Sequence, residues 1–455
     1  ILSMISLQHT RRNFLKSSIG LAGLSVPSLL SLVSRASTRA PKAKSCIVLY
    51  TWGGMSHYES FDPKPNAPSD IRGEFKPIST ATPGIQFCEH LPLLAKHSEK
   101  MAIVRSIHHR HGGHQQGMYV SLTGHDPEGG LKAKKRNNWP SLTSMISRFN
   151  EPLAGTPKAI KLPYSMYDNG TLMAGDYGGW LGSAYDPVIM KTPAGEPFQG
   201  VTRYTDKALN LKLNVKKNRI KERSSLLNDL DNQLGSNNGT GSEYDQLNRY
   251  QQMAADLLLG SPVHDAYDLE KEDQRVRDMY GDHICGQTLL LSRRLVEAGV
   301  PVVQALCSAG DLAGGGGDNW DTHRNHFPKM KDRLLPVFDR SVSALLTDLE
   351  QRGMLDETLV VFLTDFGRTP KINGNGGRDH HPGVYSVALA GGGIRGGQVY
   401  GASDSRGAEP DSDACSPADF HATVYAALGI DHKTVLHDQQ GMPFNICDGE
   451  PLPLL

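Results

Sequence analysis

The sequence lacks a run of apolar residues long enough to span a bilayer, lacks an excess of either charge and is poor in aromatics; each shortage removes a class of protein. Lysine plus arginine and aspartate plus glutamate both number 48 in 455 residues, which excludes a basic nucleic-acid coat and an acidic disordered tail. Hydrophobic residues make up 38% and aromatic residues 7%, too little for a polytopic membrane protein yet enough for a large core. The six cysteines stand far apart, at 46, 88, 285, 307, 415 and 447, so there is no zinc ribbon and no Cys-x-x-Cys pair, though one or two disulfides have room to form. No Gly-Lys-Ser/Thr phosphate loop occurs. Gly391-Gly392-Gly393-Ile394-Arg395-Gly396 fits the letters Gly-x-Gly-x-x-Gly, but strand-like Gln398-Val399-Tyr400 follows where a dinucleotide site needs a helix, so a β-hairpin turn is expected there.

In excess are 18 histidines and 48 glycines, the histidines bunched, which points to a metal or acid-base site among glycine-rich loops. The N-terminus carries an address. Thr10-Arg11-Arg12-Asn13-Phe14-Leu15-Lys16 precedes a mildly apolar run from Ile19 to Val33 and the small-x-small pattern Ser34-Arg35-Ala36. That is the order of a twin-arginine export signal, and the run is too short for a spanning helix, which needs about 20 apolar residues. Residues 1–40 are expected to be this signal, read by the twin-arginine export machinery. Residues 41–455 are expected to form a folded bacterial protein, periplasmic or secreted, with no stable membrane span.

In the mature chain, strand-length apolar runs recur at 46–51, 101–105, 300–307, 358–363 and 384–390, mostly without alternation, as in strands buried on both faces. Amphipathic helices fall between them. One covers 287–298 and ends at Gly299; another carries Leu334, Phe338, Val342, Leu345, Leu346 and Leu349 on one face and stops at Gly353. This alternation predicts a mostly parallel sheet with helices on both sides. Residues 205–275, rich in Lys, Asn, Gln and Leu, read as an inserted helical pair joined by a flexible loop; the basic stretch 212–223 reads as a solvated face, with no nucleic acid as partner.

Open α/β sheets place ligands at the C-terminal ends of strands, and the polar clusters fall there. The first strand leads into Gly53-Gly54-Met55-Ser56-His57, the second into His108, His109, His111 and His114. Val300–Cys307 leads through a four-glycine loop to Asp318, Asp321, His323 and His326, and Leu359–Leu363 into Asp365, Arg368 and Arg378-Asp379-His380-His381. Carboxylate oxygen and imidazole nitrogen together suit zinc, manganese or iron, and calcium more poorly. Asp321, His323, Asp365, Asp379 and His380 are the expected metal ligands. His114 and Arg368 are the expected contacts to an anion, Arg368 or Arg378 supplying a forked donor, and Ser56 and His57 are further catalytic candidates, Ser56 being a strand-end serine outside the Gly-x-Ser-x-Gly pattern. The site so described is one for a phosphate or sulfate ester.

Several of these stretches also carry a resemblance: Gly53-Gly54-x-Ser56-His57, Phe61-Asp62-Pro63-Lys64-Pro65, Leu91-Pro92 to Leu122-Thr123-Gly124, Trp320-Asp321-Thr322-His323, Phe366-Gly367-Arg368-Thr369-Pro370 and Gly377-Arg378-Asp379-His380. Over nearly all of its mature length the chain resembles the bacterial domain-of-unknown-function family 1501, which is similar in fold to the sulfatases and the alkaline phosphatase superfamily. The resemblance implies an α/β three-layer sandwich of alkaline phosphatase/sulfatase type, a divalent metal (zinc, manganese or calcium) and an anionic small-molecule or polysaccharide substrate. It also implies departures. Trp52 falls near the place of a metal-binding Asp, Phe366 where His or Asn follows the later Asp, and His114 where sulfatases carry their nucleophile; no Cys-x-Pro-x-Arg exists. Two expectations follow: an exported metal-dependent hydrolase of phosphate or sulfate esters, or a non-catalytic anionic-glycan-binding or surface protein that keeps the fold. A third, partner docking through residues 205–275, rests on composition.

Overall fold

The computed structural model describes residues 43–150, 156–168, 170–189, 262–309 and 319–455. The expected export signal, Asp318 and residues 205–261 of the expected helical insertion lie outside the described residues; its remaining part holds the short helix Pro262–Tyr267 and the start of Gln274–Tyr280.

The apolar runs become strands: Ser45–Thr51 (β1), Met101–Ile107 (β2), Ala159–Leu162 (β3), Val188–Ile189 (β4), Val302–Leu306 (β5), Thr358–Thr364 (β6), Tyr385–Gly391 (β7) and Gln398–Tyr400 (β8). They form one sheet in the order β8-β2-β7-β6-β1-β5-β3-β4, in which only β7 runs against the others. The expected hairpin at Gly391–Gly396 is corrected here: β7 and β8 are not paired but flank β2, so the glycines carry the chain across β2 to its far side. Gly396 is required there, since a Cβ would stand 2.1 Å from the Glu99 carbonyl.

Five helices cover the sheet: His114–Thr123 (α1), Leu142–Phe149 (α2), Ile284–Glu297 (α3), Leu335–Gln351 (α4) and Pro417–Ala427 (α5). Because successive strand residues point to opposite faces, Ile47 and Leu49 of β1 join Val360 and Phe362 of β6 in one core with α3 and α4. Cys46, Val48 and Tyr50 join Val361 and Leu363 in the other, with α1, α2 and α5. That makes three layers. Burial of each such aliphatic side chain contributes about 1.5–3 kcal/mol relative to exposure. Local signals set the helix ends: Ser416 and Asp419 form a capping box on α5 with Pro417 behind it, and Gly299 (φ 93) turns the chain from α3 toward β5. All six cysteines are free and buried. Among the described residues no helix is long and apolar enough to cross a membrane.

Candidate metal centre

Parallel pairing in register aligns the strand ends that carry chemistry: Thr51 stands opposite Thr364 and Tyr50 opposite Leu306. The loops that leave β1, β2, β5 and β6 therefore meet at one edge of the sheet. There Asp321 sits at the centre of three imidazoles and one guanidinium. Its Oδ1 is 3.0 Å from His323 Nε2, 3.1 Å from His380 Nε2, 3.4 Å from His114 Nε2 and 2.7 Å from Arg368 Nη2. The two outer imidazoles also approach each other, with Nε2 atoms 2.9 Å apart. His114, Asp321 and His380 each offer one ligand atom within 4.8 Å of the others, the geometry of a cation site.

Behind each imidazole stands an acceptor for its second nitrogen. His114 Nδ1 meets Asp365 Oδ2 at 2.5 Å, His323 Nδ1 meets Asp379 Oδ1 at 2.6 Å, and His380 Nδ1 meets the Gly112 carbonyl at 2.7 Å. Such acceptors hold the Nδ1–H in a hydrogen bond, so that the neutral imidazole would turn its Nε2 lone pair inward, as outer-shell partners of metal-bound histidines do. Asp365 is itself fixed, with Oδ1 accepting from Gly53 N at 3.1 Å and Thr364 Oγ1 at 3.3 Å. His114 opens α1 as its first residue and is buried, and its Nε2 has no hydrogen-bond partner. A buried, unpartnered imidazole nitrogen aimed at a carboxylate is what a cation would satisfy.

Two aromatic rings, Trp52 and Phe366, explain how that nitrogen is aimed. Trp52 stacks on His114 at 5.0 Å between ring centroids, and Phe366 lies 5.1 Å away while also touching His380 at 4.4 Å. Gly54 and Gly117 make room for Phe366, since a Cβ would stand 2.8 Å and 2.7 Å from its ring. Gly377 does the same for the His323 loop, where a Cβ would lie 2.0 Å from the His323 carbonyl. Aromatic packing therefore holds the imidazole in one orientation.

Charge follows the geometry. Burial raises the cost of an ionised Asp321, yet the histidines and Arg368 outweigh it and hold the carboxyl far below its usual range. Burial likewise opposes a charge on His114, but the Asp321 and Asp365 carboxylates prevail and push its pKa up to about 9. The Asp321 carboxylate raises His323, and the hydrogen bond from His323 lowers Asp379. The site opens on that side, where the side chains of His323 and Asp379 are 40% and 53% exposed.

Arg368 and Arg378 were the expected forked donors to an anion, and the structure engages both elsewhere. Arg368 is fully buried; it donates to the carbonyls of Gly53, Gly54, Trp320 and Arg378 and to Asp321, which leaves no donor facing the opening. Arg378, also buried, donates to Glu59, to the carbonyls of Ile71, Thr369 and Pro370, and lies 4.4 Å over the Tyr58 ring. Together they tie the Asp321 loop, the Asp379 loop and the segment after β1. Ser56 and His57 are each 1% exposed. The Ser56 hydroxyl donates to Glu59 and His57 Nε2 donates to the Gly407 carbonyl at 3.0 Å, so both side chains are held in the interior. His326 joins the same support through Glu59 and, at 2.6 Å, Thr322. Of the remaining histidines, His109 Nε2 bonds the Asp365 carbonyl at 2.7 Å and His111 bonds Asp126 at 2.8 Å. Glu59 had no expected role; its only signal in the sequence is its place three residues after Ser56.

Residues 43–454 match a family model described as "Protein of unknown function (DUF1501)". No curated protein matches the chain. Among solved structures the chain is similar to the PsFucS1 sulfatase from Pseudoalteromonas sp., at 13% identity over 89% of this chain and 70% of that one, TM-score 0.37. It is similar to a protein in the alkaline phosphatase superfamily from Vibrio parahaemolyticus at 11% identity over 90% and 77%, TM-score 0.39. The lipoteichoic acid synthase LtaP from Listeria monocytogenes matches at 11% identity over 90% and 76%, TM-score 0.35.

Proposed function

The chain belongs to the DUF1501 family, and from that premise we propose that it is an exported, metal-dependent hydrolase of phosphate or sulfate monoesters. The observation that carries this reading is the convergence of His114 Nε2, Asp321 and His380 Nε2, each imidazole backed by an acceptor at Nδ1. Ligand atoms around a four-coordinate zinc lie about 3.3 Å apart, from Zn–N of about 2.0–2.1 Å in tetrahedral geometry. The 3.1 and 3.4 Å separations of the two Nε2 atoms from Asp321 Oδ1 match that spacing. A donor set of two nitrogens and one oxygen favours zinc or manganese over calcium.

In this reading His114, Asp321 and His380 hold the ion, and Asp365 and the Gly112 carbonyl orient the imidazoles. A divalent cation held there supplies a polarised ester oxygen and an acidified water. His323 stands at the open side, backed by Asp379, and is the side chain placed to act as proton donor toward a leaving oxygen. Arg368 keeps Asp321 ionised and in place. Phe366 and Trp52 exclude water from the His114 side.

Metal content of the purified protein, measured with turnover of aryl phosphate and aryl sulfate, tests the proposal. A folded wild type that is metal-free and inactive overturns it. One observation favours a second reading, a binding protein without turnover: neither Arg368 nor Ser56 has a free group at the opening. Retention of an anionic glycan with no release of sulfate or phosphate would select that reading, and steady release excludes it.

A further inference from the structure

Lys132-Ala133-Lys134-Lys135-Arg136 places four cations in five positions of a chain whose charges balance as a whole. Lys132, Lys134 and Arg136 are exposed and Lys135 is half-buried. Their countercharge is thin. Arg136 comes only within 3.9 Å of Asp186, Lys134 Nζ lies 5.2 Å over the Tyr177 ring, and among the described residues Lys132 and Lys135 pair with no carboxylate.

This segment is fastened at both ends to the surroundings of the metal centre. Before it, Asp126 pairs with Arg110 at 2.6 Å and His111 at 2.8 Å, the residues that lead to the Gly112 carbonyl holding His380. After it, Trp139 N donates to the Tyr119 hydroxyl on α1 at 2.8 Å, and Trp180 N donates to the Asn138 carbonyl at 3.0 Å. Inside it, Asn138 Nδ2 and Lys135 N both donate to the Lys132 carbonyl, at 2.8 and 3.2 Å, so a turn holds the cations splayed outward. Trp139 thus ties the chain that follows the cations to the helix that opens with His114.

The chemistry of the surroundings selects among polyanions. Trp139, half-buried, has His125 stacked on it at 3.5 Å and meets Trp180 and Phe444 edge to face, so the ring beside the cations is already engaged within the protein. None of the exposed large hydrophobic side chains lies between residues 125 and 139, so the segment itself carries no apolar anchor. Point charges without stacking or insertion suit a chain of sugars that carries repeated sulfate or phosphate groups. We infer that residues 132–136 are a docking surface for an anionic polysaccharide that delivers its ester groups to the site of His114, Asp321 and His380. The inference rests on the proposed ester chemistry and makes its substrate polymeric.

Dextran sulfate is the probe, with uncharged dextran, duplex DNA and phosphatidylglycerol vesicles beside it, and the full chain is used. The variant K132S/K134S/K135S/R136S should bind dextran sulfate about tenfold or more weakly at low salt, with a shallower salt dependence. Its turnover of small aryl esters should match wild type. Unchanged affinity for dextran sulfate in the variant overturns the inference, as does equal or tighter wild-type binding to the DNA or the vesicles. The polymer measurement needs no turnover, so a wild type that binds dextran sulfate but hydrolyses nothing removes the ester reading alone. Conversely, a variant with unaltered polymer affinity and normal hydrolysis removes the docking surface alone.

Discussion

Asp365→Asn separates an oriented imidazole from a direct ligand. The carboxylate is fully buried; Oδ1 accepts from Gly53 N and Thr364 Oγ1, and Oδ2 takes the His114 Nδ1 proton at 2.5 Å. An asparagine keeps the Oδ1 contacts with its carbonyl and turns its NH2 toward Nδ1, where two donors then meet. The imidazole relieves that clash by moving its proton to Nε2, the nitrogen a cation needs. Loss of such a partner costs roughly 10–100-fold in metal affinity, about 1.4–2.7 kcal/mol. Competition for zinc against a chromophoric chelator at pH 7.5 reads this directly, with circular dichroism to confirm folding. Affinity within about twofold of wild type, far short of the outer-shell range, would refute the orientation argument. Complete loss of the ion from a folded variant would instead make Asp365 a ligand.

Other substitutions probe the support around the site. Gly117→Ala improves helix propensity by about 1 kcal/mol in isolation, yet the new Cβ would stand 2.7 Å from Phe366 and 3.0 Å from the Asp365 carbonyl. Overpacking of about 1–3 kcal/mol should therefore prevail, and a raised melting temperature would contradict it. Glu59→Gln leaves the buried Arg378 guanidinium without its counterion and should lower the free energy of unfolding by about 3–5 kcal/mol in urea titrations; a loss under about 1 kcal/mol would show the pair to be dispensable. Burial pushes His57 and His421 down to about 4, against about 6.5 when unfolded. Their neutral forms stabilise the fold fully above the unfolded value, and that contribution, at most about 3 kcal/mol each, is lost as pH falls from about 6.5 toward 4. Urea midpoints that stay level between pH 7 and 4.5 would contradict this. Added zinc should raise the melting temperature of chelator-treated protein, and an unmoved transition at saturating zinc would argue against a structured site.

Much of the architecture was legible because burial on both faces writes itself as unalternated apolar runs: 358–363 and 101–105 read as strands before any pairing is known. The direction of Tyr385–Gly391 was not legible, since an antiparallel strand inside a parallel sheet has the same composition as its neighbours. The Gly391–Gly396 turn was misread for a related reason: the glycines record a close approach to Glu99, which is distant in sequence, and not the partner of the next strand. At the site, His114, Asp321, His323, Asp365 and His380 could be named because they follow strand ends. Which acid stands behind which imidazole depends on pairings across more than two hundred residues, such as His114 with Asp365, and no local pattern encodes it. Arg368 and Arg378 look like anion clamps in a linear chain. Only the carbonyls gathered around them in space reveal that they are fastenings.

The most direct test is anomalous X-ray scattering from crystals of the protein grown with zinc. One strong peak bounded by His114 Nε2, Asp321 Oδ1 and His380 Nε2, absent from His380→Ala crystals prepared in the same way, is the expected result. Zinc-saturated crystals with no peak there, or with the ion seated away from these three side chains, would contradict the account.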